Sequence, residues 1–65
     1  LTLRWEAQAR HARNLQLLDP LGREVRRWQS QENTLRLDLS GLKPGLYLLR
    51  VQDELGLRVE KVLLQ

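Results

Sequence analysis

Residues 35–51 read LRLDLSGLKPGLYLLRV, and whether this stretch is helix or strand decides the fold. Leu35, Leu37 and Leu39 alternate with Arg36 and Asp38, which puts apolar side chains on one strand face and polar ones on the other. Tyr47, Leu49 and Val51 take up the same period after the Lys43-Pro44-Gly45 segment. Leucine supplies 17 of the 65 residues, and its intrinsic preference is for helix. The leucines do not recur at three and four, however, and turn residues interrupt the chain every 8–12 positions. Spacing outweighs propensity, and the stretch reads as two strands around a turn. Leu46 and Leu48 make the second face of the Tyr47 strand apolar too, so that strand is expected to be central and covered on both faces or nearly so.

The same reading carries outward. Leu1, Leu3 and Trp5 alternate with Thr2, Arg4 and Glu6. Six strands are expected, at about 1–6, 14–19, 23–29, 34–39, 46–52 and 57–64. In Asp19-Pro20-Leu21-Gly22 the aspartate can bond to the backbone ahead, and proline presets φ at the second turn position. Pro44-Gly45 fits the centre of a type II turn with positive φ at the glycine. Asp53-Glu54-Leu55-Gly56 reads as a hairpin closed by a left-handed glycine. Residues 30–33 are polar and loop-like, and residues 8–13 read as the longest loop. Val25 and Trp28 are three apart, out of strand phase, which predicts a bulge or an edge position in an arginine-rich strand. Six short strands without helices are best buried as a two-layer antiparallel sandwich.

Composition narrows the functions. A chain of 65 residues holds a single small domain, 1–65. It has no cysteine, so neither a disulfide nor a thiol nucleophile is available. One histidine and three scattered aspartates give no zinc or calcium spacing, and no cofactor is expected. His11 lies between Arg10 and Arg13 with no acid near it in sequence, and reads as an exposed loop residue. Asp53 and Glu54 are adjacent and point apart, which does not suit paired-carboxylate catalysis. No glycine-rich phosphate loop precedes a helix. An enzyme is therefore not expected. Net charge is +3, but the cations are interleaved with acids, and only Arg23, Arg26 and Arg27 cluster, with Glu24 among them. Nucleic-acid binding, which needs convergent phosphate contacts, is not expected. No apolar run reaches the ~20 residues of a membrane span, so no direct membrane insertion is expected. A chain that opens on Leu1 and contains no Met is expected to be a piece of a longer protein or a mature product. Trp5, in phase with Leu1 and Leu3, belongs to the core. Trp28 suits either the core rim or an exposed contact, and three aromatics in all leave little material for a sugar-binding platform.

The ordered segments LLDPLGREV (17–25), LRLDLSGLKPGLYLLRV (35–51) and KVLLQ (61–65) resemble the type A C-terminal sorting domain of type IX secretion, also called Por secretion, in bacteria of the Bacteroidetes lineage. The elements of that pattern fall on Asp19, Gly22, Arg23 and Val25, then on Asp38 to Leu42. They continue through Pro44, Gly45, Tyr47, Leu49, Arg50 and Val51, and close on Lys61 and Val62. The match covers about 14–65, Leu1 to Glu6 fits the family's first strand, and the loop up to Arg13 matches nothing specific. The resemblance implies a folded tag that follows a cargo domain, is recognised by the outer-membrane translocon, and in many members is removed by a sortase-like surface peptidase. The location implied is the periplasm in transit, then the cell surface or the medium.

GLKPGLYLLRV also resembles the Leu-x-Pro-Gly-x-x-Tyr region of fibronectin type III domains, in which the tyrosine pins a sandwich corner. The expected fold class is therefore all-β, an immunoglobulin-like or fibronectin-like antiparallel sandwich of six or seven strands. The competing function is a spacer or adhesion module of a secreted multidomain protein. Pro44, Gly45 and Tyr47 are expected to be turn and core residues, and Leu39 and Leu42 core. Arg50 and Lys61, charges beside apolar strand positions, are the residues expected to separate recognition from folding.

Overall fold

The computed structural model of the chain describes residues 1–6 and 9–65. All six expected strands form: β1 (Thr2–Arg4), β2 (Arg13–Leu18), β3 (Glu24–Ser30), β4 (Thr34–Arg36), β5 (Gly45–Asp53) and β6 (Gly56–Leu64). They make two antiparallel sheets, β1-β4 and β3-β2-β5-β6, with no helix among the described residues, in a small sandwich-like fold. Strand alternation built the core. Leu15 and Leu17 of β2 and Tyr47, Leu49 and Val51 of β5 are buried, and the register sets Leu15 against Val51 and Leu17 against Leu49. Leu37, just past β4, completes this buried set, and Leu3, Trp5, Leu35, Leu39 and Leu42 pack against it. The smaller sheet thereby covers one face of the larger. Leu37 N–H donates to the Leu1 carbonyl at 2.7 Å, extending the β1-β4 contact beyond its three ladder pairs.

The out-of-phase pair in β3 resolves as a bulge at an edge. Leu17 pairs with Arg26 and Leu18 with Glu24, so Val25 is the extra residue. The shift lets both Val25 and Trp28 pack on the core, and Trp28 takes the rim position opposite Leu15. The loop expected at 8–13 is shorter, because Arg13 already pairs with Ser30. Within that loop Gln8 lies outside the described residues.

The hydrogen-bonded turn in the opening stretch falls before Pro44-Gly45. Leu42 N–H donates to the Leu39 carbonyl, which puts Ser40 and Gly41 at the turn centre. Gly41 has φ 82°, the value a type II turn requires at that position. The cause is local: the Asp38 carboxylate accepts both the Ser40 N–H, at 3.0 Å, and its hydroxyl, at 2.7 Å, and so closes the turn early. Gly45 has the expected positive φ, at 147°, but enters β5 directly. The β5–β6 hairpin has the two-residue loop Glu54-Leu55, since Asp53 pairs with Gly56. Asp53 Oδ1 accepts the Leu55 N–H at 2.9 Å, which holds that loop.

The expected cover of β5 on both faces is not what the chain builds. β5 is central, between β2 and β6, but its second face carries Leu46 and Leu48 toward the outside of the sandwich. Leu46 is 45% exposed. Two short strands are too few to cover both sides of a four-stranded sheet, and the chain spends them on the Tyr47 face.

Candidate functional site

Two structural locks hold the motif residues. At the first, Asp19 is buried and acts as the hub of the β2–β3 turn. Its carbonyl accepts the Gly22 N–H at 2.9 Å, and its Oδ1 accepts the N–H groups of Leu21 and Arg23, both at 2.9 Å. Its Oδ2 takes the Arg23 guanidinium at 2.7 Å. Chiefly through the Arg23 N–H, these donors hold the Asp19 carboxyl below its ordinary range, against the opposing effect of burial. Sequence reading placed Asp19 as a turn former, but not as the group that fixes Gly22 and Arg23.

At the second lock, the Tyr47 hydroxyl donates to the Lys43 carbonyl at 2.7 Å, which pins the approach to β5 from four residues upstream. The Ser40 hydroxyl and N–H lower the Asp38 pKa. Arg26 ties β3 to the turn at Ser40: its Nη2 donates to the Ser40 carbonyl at 2.9 Å and its Nη1 to the Val25 carbonyl at 2.8 Å. No local pattern marks the Arg26 bond to Ser40, because that partner lies 14 residues away.

The arginine cluster is thus consumed in structure. Arg23 binds Asp19, Arg26 binds carbonyls, and Arg27 pairs with Glu24 and lowers its pKa. A cleft of about 470 Å³ opens beside Trp5, between Arg4, His11, Arg13, Glu54 and Arg58. Two of its three acids, Asp53 and Glu54, have structural partners, and the third is Glu6. Glu54 Oε1 accepts the N–H groups of Arg10 and His11, at 2.6 and 2.8 Å, fastening that loop to the β5–β6 turn across more than 40 residues of sequence. Asp53 meets Arg58 at 3.3 Å. Arg13 lies over the Trp5 ring at 4.2 Å and donates to the Glu32 carbonyl. Both tryptophans pack on the core, and no group of three or more metal-ligating side chains occurs among the described residues.

What remains open is the outer face of the large sheet. The register places Leu46 opposite Leu63, Leu48 opposite Lys61, Arg50 opposite Val59 and Gln52 opposite Leu57. Leu57, Val59 and Leu63 are each more than half exposed. Of the motif residues, Leu49, Val51 and Val62 face the core, while Arg50 and Lys61 stand on this outer face. Leu39 and Leu42 pack on the core, and Pro44 is exposed.

The family model of the secretion system C-terminal sorting domain matches residues 1–65, the whole chain. The chain belongs to that family. It is a C-terminal sorting signal of type IX secretion, which directs export across the outer membrane to the cell surface or the medium. The sorting domain therefore works with the type IX secretion machinery and with a cargo domain that precedes it. The family is a sorting signal and not a known enzyme. No curated protein and no solved structure matches the chain.

Proposed function

We propose that residues 1–65 act as one folded sorting unit, read by the outer-membrane translocon through the outer face of the β3-β2-β5-β6 sheet. The observation that carries this is the uncovered set Leu46, Leu57, Val59 and Leu63, flanked by Arg50 and Lys61. An apolar set concentrated on one sheet face and rimmed by charge is the composition of a recognition patch. Gly22, Arg23, Val25, Asp38, Leu39, Leu42, Pro44, Gly45, Tyr47, Leu49, Val51 and Val62 shape the domain; Arg50 and Lys61 contact the translocon. A sortase-like peptidase at the cell surface removes the domain after transit.

The test is export of a periplasm-directed fluorescent reporter fused to residues 1–65, in a type IX host and in a translocon-deficient strain. Deleting Lys61 to Gln65 would also remove Val62 and Leu64, which pack on the core. The informative variants are therefore Leu63→Gln and Lys61→Glu on the outer face. Surface reporter with the parent domain, and periplasmic reporter with folded outer-face variants, is the expected result. Normal export of both variants would remove the outer face from the recognition surface. Retention of the parent domain itself would favour a spacer or adhesion module.

A further inference from the structure

β6 is the second edge of the large sheet, nine residues long, and among the described residues it pairs only with β5. A long free edge is a template for another strand. Edges are often blunted by charge, and β6 carries Arg58 and Glu60 on its core-facing side and Lys61 on its outer side, all three exposed. We propose that these charges select a partner instead of refusing one, and that the partner is a second copy of this chain, joined through antiparallel β6–β6 pairing.

In a two-fold antiparallel pair that keeps both sheets continuous, opposed residues share a face, so the axis passes through a residue position. With the axis at Val59, Arg58 stands opposite the partner's Glu60 and Glu60 opposite the partner's Arg58. Two opposite-charge cross-strand pairs form, Val59 meets the partner's Val59, and the Lys61 stem lies along the partner's Leu57. Moving the axis to Glu60 opposes two carboxylates, and moving it to Lys61 opposes two ammonium groups. Directly opposed like charges are destabilising. Of the three central registers, one is electrostatically complementary and the other two are self-repelling. Arg58 also reaches Asp53 at 3.3 Å in its own chain, so its guanidinium would bridge two carboxylates in the pair. The product is one eight-stranded sheet, with the apolar outer face still open in both copies.

Sedimentation equilibrium of the 65-residue chain tests this without reference to secretion, so its failure leaves the sorting role standing. The parent should show a monomer–dimer equilibrium that weakens with salt. Arg58→Glu or Glu60→Arg alone should weaken dimerisation about tenfold, because each reversal turns two attractive pairs into repulsive ones. The double reversal should restore it, and an equimolar mixture of the two single variants should form heterodimers, which also shows that both fold. A parent chain that stays monomeric up to about 1 mM, well above typical weak-complex concentrations, would overturn the proposal. So would reversals without effect, or a Glu60→Gln variant that associates more tightly, as the axis at Glu60 requires.

Discussion

Tyr47 concentrates two roles in one side chain: its ring lies in the buried cluster, and its hydroxyl holds the Lys43 carbonyl at 2.7 Å. The roles separate by substitution. Tyr47→Phe keeps the ring and leaves the carbonyl without that donor, and should cost about 1 kcal/mol. Tyr47→Ala removes the ring as well and should cost about 3–5 kcal/mol. Denaturant midpoints at constant m-value measure both. At Gly41 the constraint is the backbone. A Cβ there would meet only Arg26 Nη2, at an ordinary 3.8 Å, but φ is 82°. Gly41→Ala should therefore cost about 1–2 kcal/mol through conformation alone, again read from the midpoint. Tyr47 was legible as core from its phase with Leu49 and Val51. Its hydrogen bond was foreshadowed only by resemblance to a sandwich corner.

Among the elements, β5 and β6 show how differently two equally apolar strands can be used. Leu49 on β5 is 2% exposed, whereas Leu57 on β6 is 51% exposed. Leu49→Ala should cost about 2–5 kcal/mol by opening a cavity. Leu57→Ala should leave the unfolding midpoint within about 0.5 kcal/mol of the parent, as surface substitutions do. Equal losses at the two positions would mean that the outer face is covered in solution. β5 was visible from periodicity and β6 from the turn that precedes it, and the broken phase of β3 pointed to a bulge or an edge. The open side of β5 was not, because a two-sided apolar pattern records that both faces are apolar without recording what covers them.

At the scale of the whole molecule, three carboxylates carry depressed pKa values: Asp19 from the Arg23 N–H foremost, Asp38 from Ser40, and Glu24 from Arg27. A depressed folded-state pKa contributes stability that is present above the unfolded value, about 4 for carboxylates, and is lost as pH falls through the folded value. The domain should therefore keep a flat unfolding midpoint near neutrality and lose stability as pH drops below about 4. Asp19→Asn should lower the neutral midpoint and flatten that acid limb. Titrating the midpoint against pH checks the sign, and a domain more stable in acid would contradict the assignment.

What the sequence by itself determined is local or periodic: six strands, their faces, the turn residues, the absence of cysteine chemistry, and the ordered motifs that resemble the sorting family. Each is written in a few neighbouring residues, so backbone stereochemistry and side-chain period suffice to read it. The tertiary structure alone decided the long-range bonds. Arg26 reaches Ser40, Glu54 fastens the loop at Arg10 and His11, and Arg13 covers Trp5. It also decided which apolar face stayed in water. That choice depends on how much sheet the other strands can supply, and β1 and β4, at three residues each, supply enough for one side of β5.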